Sequence, residues 1–183
     1  NQEDGVDEAD LVKTDGYHIY MVDGSGLHVF DVPQFGQLEA GPIFPIEGYP
    51  TELLLDSEND RAVVFSLVYT DQLPDAHPLK ENLGVSEALG YYRTYLVSKM
   101  TILNIANPSE PSLVQELFVE GHYQTARRID SSVRVVANAS LFIPGLDDYW
   151  NYFYDQNGNP VDKDEALAKA KARIQAATLA DMI

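Results

Sequence analysis

Two groups of charged side chains lie far apart in the sequence and could form one binding site. The acids near the start of the chain are Asp4, Asp7, Glu8 and Asp10, and the basic pair is Arg127 and Arg128. Clustered carboxylates can hold a hard divalent cation, and adjacent guanidinium groups can bind an anion. The alternative is structural, because a charge beside a core needs a partner. We therefore predict an ion pair between Arg127 or Arg128 and an acid of residues 4–10. We take Asp7, Asp10, Arg127 and Arg128 as candidate binding residues.

A second candidate for chemistry is the loop that begins at Asp155. Asp155, Asn157 and Asn159 place oxygen-bearing side chains at the first, third and fifth positions of a calcium-binding loop. Pro160 stands where such a loop needs glycine, and Ala166 stands where it needs a bidentate acid. The segment is more typical of a plain turn, so no metal site is predicted and calcium is the one cofactor left open.

No catalytic residue is predicted from sequence motifs. The four histidines lack the HExxH spacing of a zinc enzyme. The GxSxG motif of a serine hydrolase is also missing from the sequence.

Composition excludes several classes of protein. The chain has 183 residues and a formal net charge of −17, from 29 acidic and 12 basic side chains. So acidic a surface repels phosphate backbones, and we expect no nucleic-acid partner. The chain lacks cysteine, which excludes disulfides and thiolate chemistry. No apolar run approaches the ~18 residues of a membrane span. The acidity indicates solubility first, and binding of a divalent cation or a basic partner is the alternative.

Three related segments organise the rest of the chain. They are residues 10–22, 51–66 and 125–138, and each has a short strand-like run, a turn near an Asp and a second β-rich run. In the first segment, Asp15-Gly16 is a strong two-residue hairpin turn. The spacing of the first two segments matches the about 40–45 residues of a four-stranded propeller blade. We predict the fourth strand of the first blade over residues 42–47, where two prolines indicate an edge strand.

The predicted fold class is mainly β, with four-stranded antiparallel blades of an incomplete β-propeller and a C-terminal α-helix. The chain begins with an acidic N-terminal arm at 1–9 and a first blade at 10–50. A second blade follows at 51–124 and contains an insertion at about 69–92. Residues 125–183 form the inner half of a third blade, followed by a hairpin and a helix over 163–179. Asp162 is the predicted cap of that helix. Because a propeller ring takes about four to eight blades, we expect self-association through open sheet edges.

Three stretches resemble a family of secreted bacterial β-propeller domains that is distantly related to WD-repeat proteins. They are GVDEADLVKTDGYHIYMV at Gly5–Val22, the turn Ile105–Pro111 and the segment Glu120–Ile129. The resemblance covers about residues 5–138. It implies further blades after Ile183 and an exported protein, periplasmic or extracellular, although the sequence contains no signal peptide. Family members have no defined biochemical activity, so the resemblance supplies no catalytic residues.

These features favour a non-enzymatic binding or scaffold module whose ligand, a protein or a small molecule, is unknown. Propellers commonly bind at the channel rim, where loops between strands gather. The alternative is a propeller hydrolase whose catalytic residues lie outside this sequence. A fold alone does not decide between the two, since function depends on the site.

Overall fold

A computed structural model of the chain describes residues 6–82, 85–86, 91–92, 96–139, 153–155 and 157–178. The chain divides into two compact units, Asn1–Ala139 and Ser140–Ile183. The first unit holds the β-sheets, and the second holds a small hairpin and a helix. The predicted mainly β fold with antiparallel sheets and a C-terminal helix is confirmed.

The first sheet is a four-stranded antiparallel meander that follows a short strand, β1 (Val6–Glu8). Its strands, in spatial order, are β2 (Val12–Thr14), β3 (His18–Asp23), β4 (Gly26–Asp31) and β5 (Glu39–Phe44). The β2–β3 turn is the predicted hairpin. There Gly16 has a φ of 96°, and the Asp15 carboxylate accepts hydrogen bonds from the amides of Tyr17 and His18.

The outer strand of this sheet differs from the prediction. Residues 42–47 were the predicted strand, but β5 begins at Glu39 and ends at Phe44. The pairing of β4 with β5 shifts register between His28 and Phe30. This bulge accommodates one extra residue in β5, because two steps along β4 oppose three steps along β5. Pro42 is tolerated because it lies in an edge strand.

The second sheet is also a four-stranded antiparallel meander, interrupted by the predicted insertion. It begins with β6 (Tyr49–Asp56) and β7 (Arg61–Tyr69). The insertion contains a 3-10 turn at Thr70–Gln72, helix α1 (Pro78–Asn82) and a hairpin of β8 (Val85–Ser86) and β9 (Tyr91–Tyr92). The sheet then continues with β10 (Leu96–Asn104) and β11 (Ser112–Glu120), so that β10 pairs with both β7 and β11.

The third sheet is built from both ends of the first unit. Strand β12 (His122–Ile129) pairs with β13 (Ser132–Asn138) on one edge and with β1 on the other. Residues 6–8 of the predicted acidic N-terminal arm form a strand of this sheet. The chain then passes to the second sheet, where Asp10 and Leu53 exchange two backbone hydrogen bonds of 3.1 and 2.7 Å. This short segment ties the three sheets together.

The second sheet packs against both of its neighbours, because side chains of a strand alternate between faces. Leu53 and Leu55 of β6 join Tyr20 of the first sheet in one apolar cluster. Leu54 points to the opposite face and joins Tyr123 and Ala126 of the third sheet. The continuous apolar sequence of β6 thus reflects a strand that is buried on both faces.

The second unit contains a hairpin and one helix. Tyr154 and Pro160 form an antiparallel bridge, as the sequence predicts for this segment. Helix α2 (Lys163–Ala176) begins at Asp162, whose carboxylate accepts hydrogen bonds from the first helical turn. The helix ends three residues before the predicted boundary at 179, since Ala177 is already extended. Among the described residues, no helix is long and apolar enough to cross a membrane.

Candidate functional site

The predicted ion pair between the arginine pair and the N-terminal acids is present. Strand β1 places Glu8 opposite Arg127 and Asp7 opposite Arg128 in the β1–β12 register. The guanidinium of Arg127 lies 3.0 Å from the Glu8 carboxylate, and both side chains are about half exposed. Pairing of an N-terminal strand with β12 therefore explains why the acids and the arginines meet.

The other predicted binding residues have separate partners. Asp7 lies 2.8 Å from the ammonium of Lys13, and Arg128 lies 3.4 Å from the carboxylate of Asp56. Asp10 accepts a hydrogen bond of 2.7 Å from the amide of Leu11. The four predicted binding residues therefore make separate local contacts. They are Asp7, Asp10, Arg127 and Arg128. Their role in ligand binding stays a prediction, and Asp4 lies outside the described residues.

The calcium candidates form a tight turn in which both carboxylate oxygens of Asp155 accept hydrogen bonds. One carboxylate oxygen of Asp155 accepts hydrogen bonds of 2.8 Å from the amides of Asn157 and Asn159, and the other accepts one of 3.1 Å from the Asn159 side chain. These bonds, led by the backbone bond from Asn159, lower the pKa of Asp155 below its ordinary value. Among the described residues, no group of three acids or histidines is placed to hold a metal ion.

A cavity of about 480 Å³ lies between the first and second sheets. Its apolar wall comes mainly from the end of β5 and the link that follows it, with Phe44, Pro45 and Ile46. Its polar groups are Glu47, His77, Lys99, Thr101 and Glu116. This cavity brings together residues from the first sheet, the second sheet and the insertion, and we call it the Lys99 cavity.

The ammonium of Lys99 is enclosed by two carboxylates. It lies 2.9 Å from Glu47 and 2.5 Å from Glu116, and its side chain is only 3% exposed. The second oxygen of Glu47 lies 3.2 Å from Nε2 of His77. The ring of Phe118 lies beneath the ammonium, with its centroid 5.2 Å away. A buried charge is tolerated when it is paired in this way.

Local sequence explains how these groups reach the cavity. Lys99 and Thr101 share a face of β10 with Leu103, which is fully buried. They alternate with Ser98 and Met100, which contact the side of the third sheet. Glu47 is fixed by its backbone, because its carbonyl accepts a hydrogen bond of 2.8 Å from the Ser66 hydroxyl. The next residue, Gly48, has a φ of 82°, and a Cβ there would lie 2.4 Å from the Leu67 carbonyl oxygen.

The cavity lining supplies charged groups and a hydroxyl that can recognise a ligand. The ammonium of Lys99 is paired with two carboxylates. Thr101 is 2% exposed, and its hydroxyl has no hydrogen-bond partner among the described residues. An unpaired buried hydroxyl costs free energy that a bound ligand can recover by supplying the missing hydrogen bond.

A serine, a histidine and an aspartate also meet at the β3–β4 turn, and their geometry does not suit hydrolysis. The Ser25 hydroxyl lies 2.8 Å from Nε2 of His28 and 2.6 Å from the Asp23 carboxylate. Asp23 lies 2.9 Å from the same Nε2 atom. In a catalytic triad the aspartate binds the other ring nitrogen and so orients the base. Here the hydrogen bonds from Ser25, followed by that with His28, lower the pKa of Asp23 in an exposed turn.

Sequence reasoning missed the Lys99 cavity. The available signal was a lysine that alternates with Val97, Thr101 and Leu103, and the structure buries all four. A charge in such a position needs a buried partner. The partners themselves carry no local signal, since Glu47 is 52 residues away in the sequence.

Comparison with known proteins identifies the fold family. A family model described as "Beta propeller domain" matches residues 1–182. Neither a search of curated proteins nor a search of solved structures finds a match.

Proposed function

Because the chain belongs to the beta propeller domain family, we propose that it is a non-enzymatic binding module with the Lys99 cavity as its binding site. The observation that carries this proposal is a cavity with paired charges and one unpaired hydroxyl, that of Thr101. Propellers commonly use their scaffold to present such sites for ligands.

The dimensions and lining of the cavity support a small-molecule ligand. Its volume of about 480 Å³ lies within the about 300–1,000 Å³ of ligand pockets. Apolar walls with a few convergent polar groups are the usual composition of such pockets. A scaffold role for protein partners is the broader form of the same proposal.

Protein-observed NMR on the purified, nitrogen-15-labelled chain tests the binding role. The probes are a panel of small fragments that differ in charge, namely hexylamine, hexanoate, hexan-1-ol and glucose. We expect at least one fragment to bind and to shift the backbone amides around Lys99 and Thr101. Binding of no fragment would contradict the proposal.

A hydrolase assay tests the alternative. We expect no turnover of p-nitrophenyl acetate or p-nitrophenyl phosphate above background. Turnover that is abolished by Ser25→Ala or by Lys99→Met would favour a propeller hydrolase instead.

We also propose that the protein is exported to the periplasm or the outside of the cell. The proposal rests on the resemblance of Gly5–Val22 to secreted propeller domains. Fractionation of the producing cells tests it, and recovery of the protein only with a cytoplasmic marker would contradict export.

A further inference from the structure

We infer that the Lys99 cavity takes a small organic cation, namely a primary ammonium group attached to an apolar body. This inference rests on the proposed binding function and names the chemical class of the ligand.

Charge in the cavity favours a cation. The single ammonium of Lys99 faces two carboxylates, Glu47 and Glu116. This group therefore holds one carboxylate more than it has ammonium groups. The whole chain has a net charge of −17, which draws cations toward the surface and repels anions.

Exposure decides which charge a ligand meets. The Lys99 side chain is 3% exposed, whereas the Glu116 side chain is 39% exposed. An anionic ligand would meet the repulsion of the accessible Glu116 carboxylate before it could reach Lys99. A cationic ligand can contact Glu116 directly and leave the Lys99–Glu47 pair intact. Charge-assisted hydrogen bonds of this kind are stronger than neutral ones.

A second observation points to a ligand with a polar head. The Thr101 hydroxyl is buried without a partner among the described residues and lies in the cavity lining beside Glu116, its cross-strand neighbour in the β10–β11 register. An ammonium has three donors, so it can serve Glu116 and Thr101 together. Phe44, Ile46 and Leu113 supply the apolar surface for the body of the ligand.

Isothermal titration of the full chain with hexylammonium tests the inference, with hexanoate and hexan-1-ol as matched probes of equal length. We expect hexylammonium to bind with one site per chain and at least about tenfold more tightly than either control. Equal or tighter binding of hexanoate would overturn the inference.

Two variants locate the cation. Glu116→Gln is expected to weaken hexylammonium binding about tenfold, because it removes the accessible carboxylate. Glu110→Gln, in an exposed loop outside the cavity, makes the same charge change and should leave affinity unchanged. Equal weakening by both variants would show that only the overall charge of the protein acts, and would overturn the inference.

Thr101→Val separates ligand contact from structure. It removes a hydroxyl that has no partner among the described residues, so stability should be unchanged or higher. Hexylammonium affinity should fall about threefold to tenfold, as for one lost hydrogen bond. Unchanged affinity would overturn the role of Thr101 in the site.

The outcomes separate this inference from the proposed function. If a neutral or anionic fragment shifts the Lys99 amides and hexylammonium does not, the inference is overturned and the binding module stands. If none of the fragments binds, both are overturned.

Discussion

The ammonium of Lys99 lies 2.9 Å from the carboxylate of Glu47, and this contact joins the middle of the second sheet to the link from the first. Lys99 comes from β10, at the side of the sheet that faces the first sheet. Glu47 comes from the short segment between β5 and β6. The pair therefore serves two purposes, since it stabilises the packing of neighbouring sheets and forms part of the cavity wall.

Removal of the Glu47 charge should destabilise the protein. Glu47→Gln leaves Lys99 with Glu116 as its remaining carboxylate and weakens the contact with His77. Loss of one partner of a well-buried charge is costly, but Glu47 is partly exposed, so we expect a loss of roughly 1–3 kcal/mol. Urea denaturation followed by fluorescence measures it. The control is Glu8→Gln at the half-exposed pair with Arg127, where the loss should stay below about 1 kcal/mol. Equal losses of unfolding free energy would show that the Lys99–Glu47 pair stabilises the protein no more than the half-exposed Arg127–Glu8 pair does.

Gly48 should tolerate substitution less well than Gly16. Both have positive φ values, 82° and 96°, and alanine there costs about 1–2 kcal/mol in backbone strain. At Gly16 no atom lies within 4 Å of the added Cβ, whereas at Gly48 it would lie 2.4 Å from the Leu67 carbonyl oxygen. Gly48→Ala should therefore lose about 1–3 kcal/mol more than Gly16→Ala. Thermal unfolding of both variants measures this, and equal melting temperatures would refute the steric argument.

Local patterns predicted most of the fold, and long-range contacts produced the rest. The Asp15-Gly16 turn and the alternating strands depend on neighbours in the sequence, so their prediction succeeded. Strand β1 was missed because its partner, Arg127–Ile129, is distant in the sequence and an acidic stretch carries no strand signal. The same reason applies to the cavity, where Lys99, Glu47 and His77 come from three separate segments.

Tyr123 should make the protein sensitive to alkaline pH. Its hydroxyl donates a 2.6 Å hydrogen bond to Glu52, and its ring stacks on Phe65 at 4.7 Å, which joins the second and third sheets. Burial first, and then the Glu52 carboxylate, raise the pKa of Tyr123 above its ordinary value. A raised pKa in the folded state means that this stability is fully present below the unfolded pKa of about 10 and is lost as pH rises through the folded pKa.

Tyr123→Phe provides the measurement for this prediction. At pH 7 the variant should be about 1–2 kcal/mol less stable than the native chain, because Glu52 loses a donor. Between pH 10 and 11.5 its stability should fall less steeply than that of the native chain. Tyr17→Phe is the control, since Tyr17 is largely exposed. An alkaline slope shared by Tyr123→Phe and the native chain would contradict the assignment to Tyr123.

The loop at Asp155 should not respond to calcium at millimolar concentration. Calcium would have to replace the hydrogen bonds that the Asp155 carboxylate accepts from Asn157 and Asn159. We therefore expect the melting temperature to be the same with 5 mM calcium and with chelator. A saturable rise in melting temperature that Asp155→Asn removes would instead assign calcium to this loop.

Copies of the chain should associate through the edge of the third sheet. Strand β13 pairs with β12 on one side, and no other described strand covers its second edge. Val133 and Val136 are exposed on β13, and an uncovered strand edge is a template for pairing with another chain. We expect light scattering to show a molecular mass that rises with protein concentration. Val136→Lys should restore the monomer, because charge on an edge opposes pairing. Leu38→Lys, at an exposed loop residue, is the matched control and should leave association unchanged. A monomer at all concentrations would refute association through this edge.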